Sequence, residues 1–227
     1  MEHDPDVVVV GAGYVGLTLG VFLASRRIPV LLVDVDARKV ERLQRGESTL
    51  YEADIQGSLS AARASGYIRC SDRAPARGAR YWIIAVPYLP AELSDGGADQ
   101  YLRCLGPVRG VGASPPVVMI RSTVPLGFTR SKIVPRLREL RGRPVVEGFF
   151  LSVGPERTLT GSAIQELGSI PQLVGGSPAS LEETVPLFER CGIPCMKLGD
   201  YEAAELGKAI CNLSRLAQLN LANFIGL

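Results

Sequence analysis

Gly11-Ala12-Gly13-Tyr14-Val15-Gly16 follows four consecutive valines, Val7 to Val10, and opens a segment of helical period. Three glycines at this spacing, between a strand and a helix, suit a phosphate-binding turn. The first permits the tight turn, the second lets backbone approach a pyrophosphate, and the third lets helix and strand pack closely. Asp34 ends the next apolar run, Val30 to Val33. A carboxylate there accepts bonds from the hydroxyls of an adenosine ribose and repels the added phosphate of NADP. Turn and carboxylate together point to NAD as the cofactor. Asp36 suits the N-cap of the following helix instead.

Four further residues have types and positions that could serve a reaction. Thr123, in Ser-Thr-Val-Pro, stands just past the apolar run Val117 to Ile120. Its hydroxyl could position a water or an amide, or simply cap backbone before Pro125. Glu156 follows an uncharged stretch from Gly148 to Gly154. Partial desolvation there would raise its pKa and let it exchange protons near neutrality; on an open loop it would be an ordinary surface glutamate. Lys208 and Asn212 are four residues apart, hence on one face of a helix, among Ala204, Ile210 and Cys211. Glu205 precedes Lys208 and offers the plainer alternative of a solvated charge pair.

The elements that must carry these residues alternate between short β-branched runs and helical segments. Strands are expected at Val7–Val10, Val30–Val33, Tyr67–Cys70, Trp82–Val86, Val117–Ile120, Val145-Val146, Gln172–Val174 and Cys195–Leu198. Helices are expected over Tyr14–Arg26, Asp36–Arg45, Asp54–Ser65, Asp99–Val108, Thr129–Leu140 and Pro178–Cys191. Strands joined through helices imply βαβ units, so the fold class is α/β: a doubly wound Rossmann-type parallel sheet. The Val86-Pro87 turn then lies at the carboxyl edge of the sheet, where ligands of such sheets bind. From Asp200, an N-cap with Glu202 in the first turn, a long helix begins. Ala203, Leu206, Ile210, Leu213 and Ala217 form its apolar stripe. The expected division is an NAD-binding domain over residues 1–199 and the start of a helical linker over 200–227, cut inside the helix or covered by a partner chain.

Composition narrows the classes. The 227 residues carry 25 Lys+Arg against 23 Asp+Glu, a net charge of +2, and 46% are hydrophobic. That favours a folded globule and disfavours nucleic-acid or anionic-membrane binding, which need a basic face. The basic run from Arg130 to Arg143 reads as a solvated helix side. No stretch reaches the ~18 apolar residues of a spanning helix, and the acidic N-terminus lacks the positive region of a signal peptide. Five cysteines without a CxxC pair suggest reduced, buried structural thiols in the cytoplasm and no metal site. The single histidine is His3. Histidine-based triads are therefore disfavoured, and any general base must be Lys, Asp, Glu, Tyr or Cys.

Seven segments, in order along the chain, resemble the UDP-glucose/GDP-mannose dehydrogenase family of nucleotide-sugar 6-dehydrogenases. They are VVVVGAGYVGLTLGVFLA (7–24), VDVDARKVERLQRGE (33–47), IIAVP (83–87), RSTVPLGFTR (121–130), VGPERTLTG (153–161), PQLVGG (171–176) and LGDYEAAELGKAICNLSR (198–215). The resemblance implies NAD-dependent oxidation of the C6 hydroxyl of a nucleotide-linked sugar to a uronic acid. It places Gly11, Gly13, Tyr14, Val15 and Gly16 at the cofactor diphosphate, Asp34 and Lys39 on the adenosine ribose, and Pro87 and Thr123 beside the cofactor. Tyr88 stands where the family usually has Thr. Thr123, Glu156, Lys208 and Asn212 are the implied catalytic set: Glu156 near the sugar with a water, Lys208 and Asn212 at the reacting oxygen. Arg157 and Thr160 stand where the UDP-glucose branch has Phe and a second Glu, which resembles the UDP-N-acetylhexosamine branch. That branch usually has Pro at the position of Thr160. The family's Gly-Gly-x-Cys nucleophile and second nucleotide-binding domain are not in these residues, so only part of the oxidation is expected from them. The resemblance also implies a homodimer through the long helix. Two alternatives are a catalytically incomplete NAD-binding and dimerisation module, and another β-hydroxyacid-type dehydrogenase.

Overall fold

Val7 and Val9 of the first strand point into one apolar cluster, and Val8 and Val10 into another. This two-sided burial is what a continuous apolar run predicts, and it puts a helical layer on each face of one sheet. The structure, a computed structural model, describes residues 4–52, 54–89 and 97–226. His3 and Leu227 lie outside the described residues. Among the described residues there are eight strands: β1 (Val7–Val10), β2 (Val30–Val33), β3 (Ile68–Ser71), β4 (Tyr81–Ile84), β5 (Val117–Ile120), β6 (Phe150–Val153), β7 (Gln172–Gly176) and β8 (Cys195–Leu198). Their order is β3-β2-β1-β4-β5-β6-β7-β8, so the winding reverses between β1 and β4. At that reversal the two flanking helices leave on opposite faces and open a crevice at the carboxyl ends of the strands.

One face carries helices α1 (Tyr14–Ser25), α2 (Ala37–Gln44), α3 (Ile55–Ala64), the short α6 (Ala163–Glu166) and α7 (Pro178–Arg190). The other carries α4 (Gly97–Arg103), a π-helical turn Thr129–Ile133 leading into α5 (Val134–Arg141), and the start of α8 (Tyr201–Gly226). Asp36 caps α2, its carboxylate accepting from the Lys39 amide, and Asp200 accepts from the Ala203 amide at the start of α8. Both caps agree with expectation.

The sheet is mostly parallel, as the sequence predicts, with one departure: β7 runs antiparallel to β6, with Ser152 opposite Gly176 and Val153 opposite Gly175. The connection between them holds only α6, too short for a crossover helix, so the chain returns beside β6 instead. Val145-Val146 is not a strand. Val145 makes one isolated bridge to Phe149, and the strand follows as β6. The expected helix at Asp99–Val108 is shorter and earlier, as α4. Beyond its first turns α8 leaves the body. Tyr201, Ala204 and Glu205 are buried, whereas Ile210 is 56% and Phe224 80% exposed. The apolar stripe of α8 is therefore uncovered here. Among the described residues no helix is long and apolar enough to cross a membrane.

The basic segment after residue 129 is largely solvated. Arg130 pairs with Glu202 on α8, and Arg136 pairs with Glu139. All five cysteines are free, but only Cys70 and Cys191 are buried; Cys104, Cys195 and Cys211 are half-buried. Burial pushes the Cys104 thiol up to about 12 and those of Cys70 and Cys195 to about 11. None of these three is an activated nucleophile.

Candidate functional site

The glycine turn is shaped by three different requirements. Gly11 has φ +99, and a Cβ there would stand 2.9 Å from the Ala85 carbonyl carbon. A Cβ on Gly16 would lie 1.8 Å from the Gly11 carbonyl oxygen. Gly13 differs: a Cβ on it would meet nothing within 4 Å. The space over Gly13 is open, and Gly13 is the N-cap of α1, whose first turn carries no acidic residue. Unpaired amides and the positive end of the helix dipole face that space, so an anion fits there. The chain thus has room for a dinucleotide diphosphate where the spacing of the motif requires it.

Asp34 is fastened to the same turn. Its Oδ2 accepts from the Ala12 amide at 2.8 Å and from Lys39 Nζ at 2.9 Å, and its Oδ1 from the Asp36 amide at 3.0 Å. Burial pushes its pKa up, but the Asp36 amide, Lys39 and the Ala12 amide outweigh this and hold it below the usual value. Asp34 is therefore a fixed anion, and Oδ1 keeps acceptor capacity for a ribose hydroxyl.

A cleft of ≈ 520 Å³ opens beside the turn, lined among others by Gly13, Tyr14, Val15, Pro87, Thr123 and Glu156, with Lys208 reaching it from α8. Strand ends supply most of these residues: β1 leads to the glycine turn, β4 to Pro87, β5 to Thr123 and β6 to Glu156. Lys208 arrives because α8 starts tightly against β7. A Cβ on Gly175 would stand 2.2 Å from the Asp200 carbonyl oxygen, so only glycine permits this approach. Asn212 lies one turn further along α8, exposed and outside the lining of the cleft. Asp34 and Lys39 flank the cleft through the Ala12 contact rather than line it. Tyr88 also lines the cleft, its ring held edge-on by Phe128 at 4.9 Å and Tyr101 at 6.0 Å between centroids.

Glu156 corrects one expectation. Burial does push its pKa up, but the Arg121 charge and the Thr158 and Arg157 amides win, and the net shift is downward. Its Oε1 accepts from the Arg157 amide at 2.7 Å and the Thr158 amide at 2.8 Å, and its Oε2 pairs with Arg121. Arg121 was not singled out from sequence. It is only 1% exposed, and its other guanidinium nitrogen donates to Gln172 Oε1 at 2.6 Å and to the Gly154 carbonyl. Three of the segments carrying the family resemblance (RSTVP, GPER and PQLVGG) thus meet in one buried knot. An arginine directly before Ser-Thr-Val-Pro, at the end of a wholly apolar strand, was the available signal.

The alternative of a Glu205–Lys208 pair is also corrected. The Glu205 carboxylate instead accepts from the Gly127 amide at 2.6 Å and the Thr129 amide at 3.0 Å, closing the π-helical turn. Lys208 is left half-buried at the cleft. Desolvation lowers its pKa, the Glu156 charge works the other way, and the net shift is downward. The arrangement offers a helix N-terminus for phosphate, a ribose-directed carboxylate, a permanent carboxylate and an ammonium that yields its proton more readily than an ordinary lysine. Among the described residues no group of three or more His, Cys, Asp or Glu could hold a metal ion.

The family model described as UDP-glucose/GDP-mannose dehydrogenase family, NAD binding domain, matches residues 5–190. GDP-mannose 6-dehydrogenase of Pseudomonas putida is 27% identical over 227 residues, covering 97% of this chain and 52% of that protein. UDP-N-acetyl-D-mannosamine dehydrogenase of Escherichia coli strain K12 is 31% identical over 181 residues, covering 75% of this chain and 41% of that protein. The solved structure of UDP-D-ManNAc dehydrogenase from Pyrococcus horikoshii superimposes with a TM-score of 0.85 at 25% identity, covering 96% of this chain and 52% of that one. The chain spans about half the length of the relatives it matches.

Proposed function

We propose, from the premise that the chain belongs to the UDP-glucose/GDP-mannose dehydrogenase family and comprises its NAD binding domain, that it is the cofactor-binding part of a nucleotide-sugar 6-dehydrogenase. The reaction is oxidation of the C6 hydroxyl of a UDP-N-acetylhexosamine or UDP-hexose towards the uronic acid. One observation carries this reading: a single cleft gathers the open N-terminus of α1, Glu156 and Lys208. Arg157 and Thr160, with Thr160 lining that cleft, favour the N-acetylhexosamine.

Gly13, Tyr14 and Val15 would hold the dinucleotide diphosphate, Asp34 and Lys39 its adenosine ribose, and Pro87 and Thr123 its other end. When bound, NAD+ supplies the hydride acceptor. The Lys208 ammonium stabilises negative charge developing on the C6 oxygen, and Asn212, one turn further along α8 and outside the cleft lining, would supply a neutral donor to a substrate that extends past Lys208. The lowered Lys208 pKa makes the neutral amine more accessible; in that form Lys208 takes up the hydroxyl proton and so becomes this ammonium. Glu156, held anionic by Arg121, acts as an acceptor that orients a water or the sugar hydroxyl rather than as a proton donor. The division at residue 199, where the sheet ends after β8 and α8 begins, separates the NAD-binding domain from a helical linker. The uncovered apolar face of α8 serves a homodimer, and the unpaired thiols suit the cytoplasm.

Calorimetric titration tests the cofactor assignment. NAD+ binds the folded chain, NADP+ binds ~10-fold or more weakly, and Asp34→Ala weakens NAD+ while narrowing the ratio. Absence of heat with NAD+, or equal affinities, overturns it. The 227 residues contain no Gly-Gly-x-Cys segment. NADH formation with a UDP-sugar is accordingly expected to be weak or absent, and two equivalents of NADH per sugar would contradict the proposed division of labour.

A further inference from the structure

The loop after Glu156 is held almost entirely by carboxylates. The Arg157 and Thr158 amides donate to Glu156, and the Leu159 amide donates to Glu166 at 2.7 Å. Further along, the Gly161 amide donates to Glu52 Oε2 at 2.7 Å and the Ala163 amide to Glu52 Oε1 at 2.6 Å. Glu166 belongs to α6 directly behind the loop and only stiffens it, while Glu156 ties the near end of the loop to Arg121 at the end of β5. Glu52 comes from the separate connection between α2 and α3. Its Oε2 also accepts from the hydroxyl of Tyr14, the first residue of α1. The Tyr14 hydroxyl in turn accepts from the Gly161 amide at 3.0 Å and faces the Leu159 carbonyl at 3.1 Å. A tyrosine of the glycine turn and a distant glutamate thus grip the far end of the loop that carries Glu156, Thr158 and Thr160 into the cleft. Burial, followed by the bond to Glu52, pushes the Tyr14 hydroxyl up to about 12, so it remains a donor.

We propose that Glu52 is a positioning residue which, through Tyr14, couples occupation of the glycine turn by the dinucleotide to the placement of the Glu156 loop at the cleft. This rests on the cofactor reading above and extends it to a residue that touches neither cofactor nor substrate. A ligand packed on the Tyr14 backbone restrains the ring, the ring restrains Gly161 and Leu159, and the loop tightens before sugar arrives.

Amide hydrogen exchange on the whole chain, with and without NAD+, reads this directly. In the wild type NAD+ slows exchange both at residues 11–16 and at residues 158–163. In Glu52→Ala, exchange at Gly161 and Ala163 speeds up on the order of tenfold without ligand. Slowing by NAD+ is then confined to residues 11–16, while amides of β1 and β5 stay as protected as before. Glu52→Gln, with a single acceptor oxygen, protects Gly161 or Ala163 but not both. Tyr14→Phe keeps the Glu52–amide bonds and removes the hydroxyl link, so that at saturating NAD+ slowing persists at residues 11–16 and is lost at 158–163, which tests the coupling should Glu52→Ala fold poorly. Slowing at residues 11–16 without any at 158–163 in the wild type overturns the proposal and leaves the cofactor reading standing. No slowing at 11–16 overturns the cofactor reading itself.

Discussion

Gly13→Val abolishes NAD+ binding and leaves the chain folded. Gly13 has φ −76 and ψ −167, an extended conformation that a β-branched residue adopts without strain, and it serves as the α1 N-cap without a side-chain bond. A Cβ at this position meets no atom of the protein. The unfolding transition should therefore stay within about 1 kcal/mol of the wild type. The same side chain fills the space that a diphosphate needs against the first amides of α1, and affinity falls about 100-fold or more. Gly16→Ala supplies the contrast. Its Cβ would press to 1.8 Å from the Gly11 carbonyl oxygen, so strand and helix must part, at a cost of about 1–3 kcal/mol or more. Thermal denaturation and calorimetry on the two variants separate the roles. A Gly13→Val protein that binds NAD+ normally would remove the diphosphate from this turn, and one that unfolds would make Gly13 structural.

These glycines were legible in the sequence because their requirements are local. A turn, an N-cap and a helix–strand contact are all set within ten residues, and Asp34 and Asp36 follow by spacing alone. Thr123, Glu156 and Lys208 were legible for a different reason, since strand ends on one edge and a familiar order of segments point to them. Their partners were not. Arg121 reaches Glu156 and Gln172, Glu205 reaches across to Gly127, and Glu52 finds Tyr14 and Gly161, all through contacts between elements far apart in the chain. Nothing in a helical or strand period records such pairings, and burial alone misjudged the sign of the Glu156 shift because it omitted the buried arginine. The misplaced strand has a similar cause. Val145-Val146 has the β-branched composition, but Val146 takes φ 76, whereas Phe150–Val153 includes Ser152, whose hydroxyl finds the Val118 carbonyl and Thr184 once the layers close.

The buried pair carries the second large effect. Arg121→Met removes the cation and leaves Glu156 in place, 8% exposed and without its charge partner. Losing one member of such a pair costs about 3–5 kcal/mol near neutrality, measured as a lower urea midpoint at unchanged slope. The pH dependence of stability due to this group then changes. In the wild type the folded-state pKa of Glu156 lies below its ordinary value of 4.5. Its stabilisation is complete above that value and lost as pH falls through the folded pKa. Without Arg121, desolvation is opposed only by the bonds from Thr158 and Arg157, and the folded pKa moves up from its wild-type position. The stabilisation that Glu156 contributes above its unfolded value is then smaller than in the wild type. Other carboxylates titrate alike in both proteins, so the difference between them isolates Glu156: largest near pH 7, shrinking towards pH 4. Arg121→Met with Glu156→Gln should recover much of the loss and flatten that difference, because no charge is left to bury. A single variant as stable as the wild type at pH 7, or a gap that widens in acid, would mean that Arg121 does not hold Glu156 in its charged form, and the carboxylate would revert to a proton donor.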